Sequence, residues 1–149
     1  MRATAESTRG VTREDLGFLL AKASQRWNEL LWAGFSEHGF SEVRPSYGSI
    51  LVPLFEEDGL RIGEIARRSR LSKQTMTTMV RLAERDGLVH REPDPEDGRA
   101  TVVRLSDRAR KFAPVARRVL DRLDRRVTGL LGERDRRTVQ AALSVLAEL

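Results

Sequence analysis

Six side chains between positions 73 and 81 set the chemistry that this sequence can offer. Lys73, Gln74, Thr75, Thr77, Thr78 and Arg81 can all hydrogen-bond, and none is acidic. They are what remains of a helix once Met76, Met79, Val80 and Ala83, at i, i+3, i+4 and i+7, turn inward. Ser72 stands where an N-cap is needed. The nearby acids, Glu84 and Asp86, are held back to the C-terminal end. The N-terminal half of such a helix presents positive dipole and free N–H groups to an anion. Its side chains match base edges: Gln pairs with adenine, Thr meets a base edge or the thymine methyl, and Arg reads guanine. Taken alone, the same face is what solvent asks of any surface helix, so its surroundings must decide.

A second group lies at Asp97-Gly98-Arg99. An Arg at the tip of a hairpin can enter a narrow, negative minor groove. Asp97, two residues earlier, can hold that guanidinium in place beforehand, or form a local ion pair that serves only the loop. Arg67, Arg68, Arg70, Arg91 and Arg104 are candidate phosphate contacts, whereas Asp94 and Glu96 should point away from phosphate. The charge distribution agrees. Residues 61–111 hold 13 Lys/Arg and 8 Asp/Glu, which accounts for the whole net charge of +5. A localised basic excess is the footprint of a polyanion-binding surface. Of the 27 basic residues 24 are Arg, which suits phosphate forks.

Other chemistries find little support. There is no cysteine, which removes disulfides, thiolate metal sites and thiol redox sensing. The two histidines, His38 and His90, are far apart, and no cofactor or metal is expected. No nucleophile–base spacing or Gly-rich phosphate loop points to an enzyme. No apolar run approaches the roughly 18 residues of a membrane span. The first ten residues lack a secretory signal's apolar core, so a cytoplasmic protein is expected.

The elements that must position these residues follow from periodicity. Residues 1–11 read as a flexible arm. From Glu14 a helix carries Leu16, Leu19, Leu20, Ala23, Trp27, Leu30 and Leu31 on one stripe, with Thr12 as its expected cap. Phe18 and Trp32 project from the other face, as ordinary surface aromatics or for a second contact with a subunit or ligand. Gly39 ends this helix, and Pro45 opens a second that runs to about Glu57, with Pro53 expected to kink or shorten it. Leu60–Arg68 is a short helix with Ile62, Ile65 and Ala66 inward. A tight turn at Arg70-Leu71 leads into the helix 73–85, which Gly87 stops. Leu88–Arg91 and Thr101–Leu105 read as two strands around a turn-rich link. Ser106 caps a long helix to about Leu131, and Glu133–Leu149 forms the last. The fold class is therefore mainly α: a winged helix-turn-helix with a helical dimerisation region, six helices and a two-stranded wing hairpin. Both terminal helices carry apolar stripes that one 149-residue chain has little means to cover.

The sequence resembles the MarR (multiple antibiotic resistance regulator) family of bacterial transcription factors over about residues 12–149. The resemblance rests on Ile62-Gly63-Glu64-Ile65-Ala66, Leu71-Ser72, Glu84-Arg85-Asp86-Gly87-Leu88-Val89, the stretch Arg91 to Arg99, and the join Val103-Arg104-Leu105-Ser106. It departs from the family pattern at Arg61, where a small capping residue is common, at Ala83, where Leu is frequent, and at Gly98, where Arg is common. The resemblance implies an obligate homodimer whose first and last two helices interlace. It also implies a pseudo-palindromic operator in double-stranded DNA, with half-sites about one helical turn (roughly 34 Å) apart.

Members of that family usually bind a small anionic or phenolic aromatic effector between the pairing helices and the winged domain. Trp27, Trp32, His38, Arg44 and Tyr47, with Ser46 and Arg26 nearby, are the groups available here. Each also has an ordinary role in packing or at a helix end. The expected division is an arm (1–11), a dimerisation helix and link (12–44), a winged helix-turn-helix DNA-binding domain (45–105) and C-terminal dimerisation helices (106–149). The expected function is a ligand-responsive DNA-binding regulator, a repressor released by its effector. The alternative is a constitutive or architectural DNA-binding protein without one.

Overall fold

The computed structural model describes residues 10–149. Six α-helices and one hairpin follow in the order α1 (Leu16–Glu37), a 3-10 turn (Pro45–Tyr47), α2 (Gly48–Glu56), α3 (Ile62–Arg68), α4 (Lys73–Arg85), β1 (Val89–Pro93), β2 (Thr101–Leu105), α5 (Asp107–Leu131) and α6 (Glu133–Leu146). The expected arm lies almost wholly outside the described residues.

Several boundaries differ from expectation. Asp15, not Thr12, holds the N-cap position of α1, and its carboxylate reaches back to accept from the Thr12 N–H at 2.5 Å. Thr12 instead opens the preceding turn, its carbonyl accepting from the Asp15 N–H. The chain after Pro45 makes one 3-10 turn before α2 begins at Gly48. β1 starts one residue later than expected and runs to Pro93, which tolerates its missing N–H at the end of a two-stranded sheet.

Pro53 sits inside α2 and deprives the Ser49 carbonyl of its usual i+4 donor. The Ser69 hydroxyl, from the C-cap of α3, donates to that carbonyl at 2.5 Å. The defect in one helix thus becomes the tether for the next. Leu60 does not join α3. It exchanges two hydrogen bonds with Val103 and so forms a one-residue third strand beside β2.

One core runs through the molecule. Phe35 and Phe40 at the end of α1 meet Phe112 of α5, the first edge-on at 4.7 Å between ring centroids. Ile50, Leu51 and Leu54 of α2, Ile65 of α3, Met76 and Val80 of α4, and Leu88 and Val103 of the hairpin complete it. α1 and α5 cross at Gly34, where an added Cβ would lie 2.7 Å from Val119 Cγ1.

The two ends of the chain are different. Leu16, Leu19 and Leu20 of α1, Leu130 and Leu131 of α5, and Val139, Leu143 and Val145 of α6 are all exposed. α6 contains no buried residue at all.

Candidate nucleic-acid interface

α4 is built as its sequence asks. The Ser72 Oγ accepts from the Thr75 N–H at 3.1 Å and donates to Thr75 Oγ1 at 2.8 Å. Met76, Val80 and Ala83 are buried, and Met79 packs partly against the core. Lys73, Gln74, Thr75, Thr78 and Arg81 are exposed, while Thr77 is half-buried. The Thr77 hydroxyl donates to the Lys73 carbonyl at 2.8 Å and that of Thr78 to the Gln74 carbonyl at 3.3 Å. Both therefore face outward as acceptors with a methyl group. Lys73 and Arg81 have no ion pair among the described residues, so their charge is uncommitted.

The turn before α4 is tight because Arg70 takes a left-handed backbone conformation (φ 54°). That conformation lets the Leu71 N–H return to the Ala66 carbonyl at 3.0 Å and swings the chain into the Ser72 cap.

Several acids of this surface are neutralised in place, though Glu96 stays exposed with no ion pair among the described residues. Glu84 takes Arg91 Nε and Nη2 at 3.2 and 3.0 Å, and the Arg91 guanidinium holds the Glu84 carboxyl below its ordinary value. Asp94 accepts from the Glu96 backbone N–H and pairs with Arg61 at 2.8 Å. These contacts, the backbone bond first, keep it ionised to lower pH than usual. Asp94 is thereby neutralised by Arg61. Glu64 collects Arg67 and Arg68, which lower its pKa to about 2.

Several of the arginines expected at phosphate already carry acidic partners. Arg91 is engaged by Glu84, Arg104 by Glu92, Arg67 by Glu64, Arg68 by Glu57 and Glu64, and Arg70 by Glu148 at the end of the chain. His90 also faces Glu92, at 3.4 Å.

Arg99 is the open one. Its side chain is 94% exposed at the hairpin tip. Asp97 Oδ1 accepts from both its backbone N–H, at 3.1 Å, and its Nε, at 3.2 Å. A further bond, from the Ala100 N–H to the Asp97 carbonyl, closes the loop. Between α4 and this hairpin lies a cavity of about 370 Å³ lined by Glu84, Arg91, Pro93, Gly98 and Thr101 among others.

One tie was not legible in the sequence. Tyr47, buried and just ahead of α2, donates its hydroxyl at 2.5 Å to Asp86, the C-cap of α4. Burial and then this hydrogen bond raise the Tyr47 pKa, and the phenol lowers that of Asp86. The two residues are 39 positions apart. The only signal was that a buried tyrosine needs a partner.

The residues expected to line an effector pocket are not gathered in the same way. Tyr47 is in the core and committed to Asp86. Arg44 lies 6.0 Å over its ring. Trp27 packs partly against the core. Trp32 is exposed and donates to the Ser41 carbonyl at 3.2 Å. His38 lies elsewhere, in a cleft against α5. Among the described residues no cluster of His, Asp or Glu is placed to hold a metal, and no helix is long and apolar enough to cross a membrane.

The comparisons with known proteins point the same way as the geometry. The family model described as the MarR family matches residues 45–101, the stretch from the 3-10 turn to the start of β2. The transcriptional repressor CouR, solved on a 23-mer DNA duplex, is 25% identical, with a TM-score of 0.76 over 93% of this chain and 99% of that one. CouR from Rhodococcus jostii RHA1 has also been solved with p-coumaroyl-CoA. The exopolysaccharide II synthesis transcriptional activator ExpG of Rhizobium meliloti is 24% identical over 139 residues, 93% of this chain and 70% of its own. An HTH-type transcriptional regulator of Mycobacterium leprae is 35% identical over 78 residues, about half of either chain.

Proposed function

We propose that the chain is a ligand-responsive repressor of the MarR family type, a winged helix-turn-helix regulator that holds a pseudo-palindromic operator as a homodimer; the family model's match to residues 45–101 and the likeness to DNA-bound CouR support this. α4 enters the major groove, with Ser72, Thr75 and the N-terminal turn on phosphate. Gln74, Thr78 and Arg81 lie at base edges, Lys73 meets phosphate, and Thr77 sits at the margin. Asp97 presents Arg99 to the minor groove. Arg70 and Arg91 reach phosphate only by exchanging Glu148 and Glu84 for it.

The observation that carries this reading is the exposed face of α4. It is free of acid, its cations Lys73 and Arg81 have no ion pair among the described residues, and Glu84 and Asp94 near it are already held by arginines. Residues 45–105 act as the DNA-binding unit, and 12–44 with 106–149 as the pairing unit. What supports pairing is the exposed leucine and valine surface of α1, α5 and α6, since a helix with no buried residue gains little by staying on a lone chain. An aromatic anionic effector is the simplest releasing signal, with Trp27, Trp32 and Arg44 as its nearest groups. CouR's binding of p-coumaroyl-CoA supports a ligand of this type.

The test is fluorescence anisotropy on DNA taken from upstream of the protein's own gene. Specific binding should weaken with salt, log K falling by about 0.9 per phosphate contacted. Arg81→Ala should alter base preference, and Lys73→Ala should weaken all sequences alike. Equal affinity of parent and Arg81→Ala for every sequence would refute the placement of α4. A thermal-shift screen of aromatic acids separates the ligand-responsive reading from a constitutive one: retained DNA binding with no stabilising ligand favours the latter.

A further inference from the structure

A second basic site lies away from the interface. Where the end of α1 meets the middle of α5, a cleft of about 280 Å³ is lined by His38, Arg118, Val119, Asp121, Arg122 and Arg125. Arg118, Arg122 and Arg125 stand at i, i+4 and i+7, so they share one face of α5. Like charges at that spacing destabilise a helix. The acids nearby do not cancel them. Asp121 is taken by Arg117 at 2.8 Å. Glu37 reaches Arg122 only at 3.4 Å. Arg118 and Arg125 have no ion pair or hydrogen bond among the described residues.

His38 borders the cleft. Its Nδ1 lies 2.8 Å from the Gly34 carbonyl, which can only accept, so Nδ1 carries a proton. That fixes the ring as a wall beside the arginines. Val119 forms a dry floor beside it.

The cleft is also separate from the surface offered for pairing. Arg118 is two residues from Leu120, and residues two apart point to nearly opposite sides of an α-helix. Leu120 packs on the core side, and the exposed Leu130 and Leu131 continue that apolar stripe.

We propose that this cleft binds a small, multiply charged anion, with Arg118, Arg122 and Arg125 as its charge clamp. The chemistry required is two or more anionic oxygens spaced to meet guanidinium forks on successive helical turns, in phosphoryl or carboxylate form. The site does not depend on the DNA-binding reading.

Isothermal titration calorimetry of the full chain at low salt, with pyrophosphate and separately with citrate, tests it. Saturable binding of either is expected. Pyrophosphate alone marks a phosphoryl ligand and citrate alone a polycarboxylate. Arg118→Ala with Arg125→Ala should weaken that binding at least tenfold, and Arg118→Gln with Arg125→Gln, which keeps more of each stem, should do the same. Arg134→Ala on α6 should leave it unchanged. No saturable heat from either probe overturns the proposal. So does binding that survives both double variants and is lost with Lys73→Ala and Arg81→Ala, because the anion then sits on α4. No DNA enters the measurement, so its failure leaves the operator reading standing.

Discussion

Gly34→Ala sets two effects of known sign against each other. Alanine in a helix interior is favoured over glycine by about 0.5–1 kcal/mol. At position 34 the new Cβ would stand 2.7 Å from Val119 Cγ1, 3.1 Å from Cγ2 and 3.5 Å from Cβ. Val119 is buried and β-branched, so it holds one rotamer on its helix and has nowhere to turn. Forcing an extra methyl into such a site costs about 1–3 kcal/mol. The packing penalty wins, for a net loss of about 1 kcal/mol. The assay is urea unfolding at fixed protomer concentration, since a pairing chain's stability depends on it. Val119→Ala in the Gly34→Ala background removes both clashing methyls, so the two changes should be non-additive by about 1 kcal/mol or more. Gly63→Ala, where nothing lies within 4 Å, should be neutral or gain stability. A Gly34→Ala protein as stable as the parent, or a cycle that adds, would refute the close crossing of α1 and α5.

Other outcomes follow from the ion pairs and caps. Arg99→Ala should reduce the salt dependence of DNA binding by about 0.9 in log–log slope, whereas Arg91→Ala, whose guanidinium is held by Glu84, should reduce it less. Equal changes would refute the distinction. Ser72→Ala should cost about 1 kcal/mol of stability, read by urea unfolding, because it removes the acceptor for the Thr75 N–H. Glu64, lowered from 4.5 to about 2, favours the folded state above pH 4.5, and this contribution is lost as pH falls toward 2. Glu64→Gln should therefore flatten the acid-unfolding profile in that window and nowhere else. Tyr47→Phe keeps the ring and loses a hydrogen bond to a carboxylate, about 1.5–3 kcal/mol. Asp86→Asn should couple with it in a double-mutant cycle.

The elements that could be read from the sequence were those with a strong period or a local cap. α4, its Ser72 cap and its buried stripe, β2, and α5 from Ser106 all stand where periodicity put them, because each is decided within a few residues. The Asp97–Arg99 contact was legible for the same reason. The long-range partners were not. Nothing local says that Glu84 faces Arg91 across the hairpin, that Tyr47 reaches Asp86, or that Leu60 leaves its helix to pair with Val103. Charge type marks an arginine as able to meet phosphate, but only the fold shows which arginines are already occupied. The pocket residues fared worst, because an aromatic on a helix looks the same whether it lines a cavity or fills a core.

Ser106 joins two parts of the molecule through one residue. Its Oγ accepts from the Ala109 N–H to start α5 and donates to the Gly87 carbonyl where α4 has just ended, while its backbone N–H meets the Leu88 carbonyl. The first turn of α5 is therefore tied to the exit of α4, the helix proposed to enter the groove. Rotation of the first turn of α5 is passed directly to the exit of α4, with Ser106 as the link. If the chain pairs as proposed, two such heads must match one fixed helical repeat, and a small angular change at the far end of α5 would shift both.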